Sequence, residues 1–145
     1  MDKNSYIPLN DLKVYKLARE LSKVGWEIYE SLNWKEKKII GDQFIRAIDS
    51  VGANITEGYS RFHYLDRIKF YYISHTSLAE SCDHWLELIY ERNKINSENY
   101  DKMKVITREL SIKLNNFISS TYFERSEKKG SERSEGSYKF KNTKQ

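Results

Sequence analysis

The sequence predicts an all-α protein, an antiparallel up-down-up-down four-helix bundle with a disordered C-terminal tail. Three observations carry this prediction. Four segments place apolar residues three and four positions apart, the spacing of one helix face. Short connections join them, which makes consecutive helices antiparallel neighbours. No segment alternates in the manner of a strand, and a single proline leaves long stretches unbroken.

The first helix is expected over residues 10–32. Asn10 is placed to cap it, and Leu17, Leu21, Val24, Ile28 and Leu32 form one apolar stripe. Asn33 starts the second helix, with Glu36 three positions on as the other half of a capping box. That helix is expected to reach Glu57, with Gly58 as a left-handed C-terminal cap. The third spans residues 64–93, with Phe70, Ser77, Leu78, Ser81, Trp85, Leu88 and Ile89 on one face. Asn96 or Ser97 caps the fourth, which carries Met103, Ile106, Leu110, Leu114, Phe117 and Ile118 and ends near Phe123. The domain plan is an extension over residues 1–9, a bundle over 10–123 and a charged tail over 124–145. The tail is nearly free of aliphatics, so burial there cannot offset the entropy of ordering.

The net charge is +4, and the tail, with seven Lys/Arg against four Glu, holds most of it. Basicity alone is thus a weak argument for nucleic acid. Cys82 is the one cysteine, so no intrachain disulfide forms and a reducing compartment fits. The N-terminus lacks the apolar run of a signal peptide, and no stretch approaches the roughly 18 apolar residues of a membrane span. A soluble cytoplasmic protein is expected.

The segment "RAIDSVGANITEGYSR" holds an unusual feature. Gln43, Arg46, Ser50, Asn54 and Glu57 fall within about 80° of helix surface, beside the apolar arc of Ile40, Phe44, Ile48, Val51 and Ile55. An exposed flank usually carries Lys and Glu. Short amides and hydroxyls point to close contact with another backbone or subunit, the alternative being capping and pairing within the helix. On the third helix Ile68, Tyr72, Ala79, Leu86 and Tyr90 form a second stripe, and on the first Tyr15 and Trp26 share a side away from the main face. Such surplus apolar area marks a subunit contact or a broad core.

With "SLAES" at residues 77–81, the segment "QFIRAIDSVGANITEGYSR" resembles the four-helix bundle family linked to intervening sequences of bacterial 23S ribosomal RNA genes. The shared pattern is Gln43, Arg46-Ala47, Ser50, Asn54-Ile55, Glu57-Gly58 and Arg61, and the opening "NDLKVYKLARELS" also fits. The resemblance covers about residues 9–123. The accessory protein of diversity-generating retroelements is similar in fold. The resemblance implies a small non-enzymatic homopentamer that binds nucleic acid, structured RNA foremost. It also implies an alternative, an adaptor for a protein such as a reverse transcriptase.

No paired Glu-x-x-His motif supports a ferritin-like metal site, no base accompanies Cys82, and no glycine-rich phosphate loop is present. The expectation is no catalysis, no metal and no cofactor. The phosphate-contact candidates are Arg61, Arg67 and Lys69, interleaved with Tyr59, Phe62 and Tyr64. Lys35, Lys37 and Lys38 form a second cluster at the other end of the bundle. Gln43, Arg46, Ser50, Asn54, Glu57, Gly58 and Glu80 are the candidate structural and assembly residues, with Arg46 and Glu80 expected to meet across a subunit boundary.

Overall fold

The structure, a computed structural model, describes the backbone of residues 6–142 and the side chains of residues 6–132. The N-terminal extension and the tail therefore lie partly outside the described residues, at 1–5 and 143–145. Four helical stretches form the fold. Helix α1 is Lys13–Ser31. Helix α2, residues 34–59, joins Trp34–Glu36, a π turn Lys37–Gly41 and Asp42–Tyr59. Helix α3, residues 64–91, joins Tyr64–Ala79, a π turn Glu80–Trp85 and Leu86–Glu91. Helix α4 is Ser97–Asn142. Each packs against its two neighbours in the order α1, α2, α3, α4 and back to α1, the square of an up-down-up-down bundle.

The apolar stripes meet at the centre. Leu17, Leu21, Val24, Ile28 and Leu32 of the first stripe are buried, with Phe44, Ile48, Val51 and Ile55 of α2 against them. Tyr71, Leu78, Cys82 and Leu86 of α3 and Met103, Leu110 and Leu114 of α4 complete one contiguous core. Burial pushes the Cys82 thiol up, away from thiolate chemistry. No helix among the described residues is long and apolar enough to cross a membrane.

Several local features differ from the sequence expectation. Asn10 is not the first cap. Following Pro8, Leu9–Asp11 forms a 3₁₀ turn, and α1 starts three residues later, with Leu12 ahead of it and no side-chain cap. Asn33 does form its box with Glu36: the Glu36 amide donates to Asn33 Oδ1 at 2.9 Å, and the Asn33 amide to Glu36 Oε2 at 3.1 Å. Of the two candidates before α4, Asn96 is the cap, accepting from the Asn99 amide at 2.8 Å. Asn93, at φ 58°, supplies the left-handed residue that ends α3. The second stripe on α3 divides: Ile68 and Leu86 enter the core, and Tyr72 and Tyr90 stay outside. Tyr15 packs on the core edge, whereas Trp26 is exposed and stacks on Tyr29 at 5.2 Å.

The end of α4 also differs from the one expected near Phe123. Instead of ending at Phe123, α4 continues as helix to Asn142. The segment lacks aliphatics but is rich in Glu, Lys and Arg and has no proline. Extending a helix that is already formed avoids the cost of a new nucleus. Of residues 124–132 only Arg125 is more than lightly covered, so this extension is solvated rather than core-packed.

A polar seam ties α3 to α4. Lys104 Nζ donates to the Cys82 carbonyl at 2.9 Å, on the π turn of α3, and pairs with Glu87. The Tyr100 hydroxyl donates to both Glu87 oxygens, at 2.8 and 2.9 Å. Burial opposes charge on Glu87, but the hydrogen bonds from Lys104 and Tyr100 outweigh it and hold the carboxyl below its ordinary 4.5. The bond to Glu87, with burial, raises the Tyr100 phenol to about 12. A depressed carboxylate contributes stability that is present above its unfolded pKa and lost as pH falls through the folded one. A raised phenol contributes stability that is present below its ordinary 10.0 and lost as pH rises through about 12. The urea midpoint is therefore expected to fall below the carboxylate range and again above the ordinary phenol range. Glu87→Gln should fall less steeply in acid than the native chain; an unchanged acid limb would remove this seam from the pH response.

Candidate functional site

The turn between α2 and α3 builds a basic and aromatic corner. Gly58 makes it possible, and not by the conformation the sequence suggested. No glycine among the described residues has a positive φ, and Gly58 sits inside α2. A Cβ on it would meet Tyr71 Cε1 at 2.7 Å, the Arg67 carbonyl oxygen at 2.9 Å and Phe70 Cβ at 3.0 Å. Gly58 is thus a close-approach residue that lets the start of α3 lie against the end of α2.

Two of the three predicted cations at this pole come together. Arg61 pairs with Glu57 and lies 4.8 Å from the Phe70 ring. Arg67 Nε donates to the Arg61 carbonyl at 2.7 Å, with its guanidinium 5.1 Å from the Tyr64 ring. Lys69 is exposed, and two residues beyond Arg67 it points about 200° away around α3. The extended α4 contributes what sequence reasoning missed. Lys128 Nζ lies 5.5 Å from the Phe62 ring and 5.7 Å from Tyr64. Arg125, Lys128 and Lys129 wall a groove of about 480 Å³ opposite Phe62, His63 and Tyr64. The spacing Phe117, Thr121, Glu124, Lys128 continues the rhythm of α4 and was the available signal.

The second lysine cluster lies at the opposite pole. Lys37 sits 4.9 Å from the Tyr29 ring and Lys38 5.7 Å from Trp34. Lys35 is exposed, and Glu36 between them is neutralised by Lys94 at 3.0 Å.

Part of the polar ladder is an α2–α3 seam within one chain. Ser50 Oγ and Ser77 Oγ share a hydrogen bond of 2.9 Å. Asn54 Nδ2 donates to the Ser50 carbonyl at 2.8 Å and to its hydroxyl at 2.9 Å. Buried Ser74 donates to the Val51 carbonyl at 2.7 Å. Small hydroxyls keep the two backbones close while each polar group finds a partner. Both readings of the ladder therefore hold in part, close contact and pairing within the helix. Above this seam Gln43, Arg46 and Glu80 border an open groove of about 350 Å³. Glu80 accepts from Trp85 Nε1 at 3.1 Å. Arg46 and Glu80 share the groove, yet they form no ion pair among those within 4.0 Å in the described residues.

Among the described residues no three His, Cys, Asp or Glu side chains group as a metal site. His75 Nε2 and Ser111 Oγ approach to 3.3 Å, with no carboxylate hydrogen-bonded to that imidazole among the described residues. Fold and surfaces together define a class, the small antiparallel helical bundle whose distinctive features are seams and charged corners.

Within that class the chain belongs to the 23S rRNA-intervening sequence protein family, whose model matches residues 10–116. A crystal structure of a protein of unknown function from the S23 ribosomal protein family of Bacteroides thetaiotaomicron is similar. It is 25% identical, covers 72% of this chain and 97% of that one, and superposes with a TM-score of 0.67. No curated protein matches. The matched span ends before Phe117, so the α4 extension that walls the basic groove lies outside it.

Proposed function

We propose that this chain is a non-enzymatic bundle that assembles with copies of itself and binds nucleic acid, structured RNA foremost, through basic surfaces repeated around the assembly. The carrying observation is the corner at the α2–α3 turn. Cations from two distant parts of the chain, Arg67 and Lys128, stand there beside half-exposed Tyr64, and Lys128 also stands beside exposed Phe62. Cations beside open ring faces are the chemistry that meets phosphates and stacks unpaired bases. Exposed Tyr72, Ile73, Val105, Ile112 and Tyr122 on α3 and α4 support assembly. Five subunits is the number that the family resemblance implies. Repetition raises a modest charge per subunit to a polyvalent one.

The test is a salt titration of binding to a structured RNA. With five or more phosphate contacts, affinity should fall by about 10²-fold between 50 and 200 mM salt. Replacing Arg61, Lys128 and Lys129 with alanine should flatten that slope while light scattering shows the oligomer unchanged. Replacing Lys35, Lys37 and Lys38 tests the other pole. Absence of binding at low salt would replace this reading with the adaptor, whose partner is a protein such as a reverse transcriptase.

A further inference from the structure

Beside the basic groove, and sharing Tyr64 with it, lies a second cavity of about 600 Å³ between the chain's first described residues and α4. Its size is in the range that holds small organic groups. Its walls are aromatic. Tyr59, Tyr64 and Phe117 line it, and Tyr6 stacks on Tyr59 at 5.7 Å. The Tyr59 hydroxyl donates to the Ile7 carbonyl, which pins the N-terminal strap as one wall.

Polar groups make up much of this cavity's wall, and they are of both kinds, donors and acceptors. Tyr71 is 1% exposed, yet its hydroxyl has no hydrogen-bond partner among the described residues and is not sealed off from open space. Burial pushes its phenol well above the ordinary range, so it remains a proton donor. Arg67 lines the cavity too, with Nε on the Arg61 carbonyl and its guanidinium beside the Tyr64 ring. Glu124 and Glu127 supply acceptors; with Thr121 they stand three apart on one face of α4.

We infer that this cavity takes a single unpaired nucleobase, guanine by its hydrogen-bonding edge, an inference that rests on and deepens the nucleic-acid reading. Guanine presents acceptor O6 beside donors at N1 and N2. A carboxylate opposite the donors, and Tyr71 or Arg67 opposite O6, satisfy both. Adenine offers the reverse order, and a pyrimidine fills less of the aromatic space. The neighbouring groove then receives the phosphate on the far side of Tyr64. A cationic peptide suits the carboxylates but meets Arg67 within the cavity and Arg61, Lys128 and Lys129 around it. The guanine could belong to a strand or to a free nucleotide, which share this chemistry.

The test compares two fluorescent heptamers of uridine, one with a central guanine and one with a central adenine, by anisotropy at low salt. GMP and AMP serve as competitors. Preference for guanine of about tenfold is expected, and Tyr71→Phe and Glu124→Gln should each cut that preference by at least half. Competition by GMP and not AMP supports the site with a free nucleotide sufficing; guanine preference without GMP competition supports it with a strand required. Equal affinity for the two heptamers, salt-dependent as before, overturns the cavity assignment and leaves the nucleic-acid reading standing. No binding of either overturns both. An oligoarginine peptide that binds and is lost in Glu124→Gln overturns the inference in favour of a protein partner. Glu124 is exposed, so its variant reports on the site even where Tyr71→Phe disturbs packing.

Discussion

Replacing Gly58 with alanine is expected to lower the melting temperature sharply while the spectrum at low temperature stays helical. The new Cβ would press on the Tyr71 ring and, at 2.9 Å, on the Arg67 carbonyl oxygen. A ring edge can shift, but a backbone carbonyl inside α3 moves only with its helix. Overpacking of this kind costs about 1–3 kcal/mol. For a chain of this size that corresponds to a fall of about 3–10 °C. Asparagine at the same position discriminates between the two readings of this glycine. At a left-handed cap asparagine is tolerated better than alanine. At a close approach it is worse, because it is larger. A melting temperature for Gly58→Asn above that of Gly58→Ala would restore the cap reading. Because Tyr71 and Arg67 both face the guanine-sized cavity, either variant should also weaken guanine preference.

Ending the chain after Phe123 is expected to separate stability from binding. Residues 124–132 are exposed apart from Arg125, so their removal gives up little apolar area. The melting temperature should stay within about 2 °C of the full chain. Binding should not survive so well. Arg125, Lys128 and Lys129 leave together, and with them one wall of the basic groove. Loss of three phosphate contacts per subunit should lower affinity at least about tenfold at low salt and reduce the salt slope by about 2–3. A large drop in melting temperature would show instead that the extension is part of the core. Unchanged binding would move the interface to the Lys35, Lys37 and Lys38 pole.

What the sequence disclosed and what it hid follow from the range of the interactions involved. Leu21, Phe44, Leu110 and their neighbours were legible because helix periodicity is a local property and the core uses one face per helix. The Asn33–Glu36 box was legible for the same reason, with both partners within one turn. Gly58 was visible as a glycine that mattered, but a special φ and a missing Cβ leave the same letter. Only the position of Tyr71 and Arg67 across the turn decides between them. The length of α4 was not legible because composition speaks to burial, whereas a helix carried past Phe123 grows from turns already formed. At the corner, Arg61 and Arg67 announced themselves by their aromatic neighbours in sequence. Lys128 and Glu124 did not, since the contacts that bring them to Phe62 and Tyr71 span more than fifty residues.

Tyr6 and Ile7 share a cavity with Glu124 and Glu127, so the chain enters and leaves the bundle at one pole. Beyond Glu127 the helix carries on to Asn142, so the residues after it lead away from the base-sized cavity. The turn around Asn93 lies at the other pole, next to Glu36 and Lys94, and its left-handed residue already marks an exposed reversal. Reporter groups and affinity handles belong there, away from the surface that a binding assay is meant to measure.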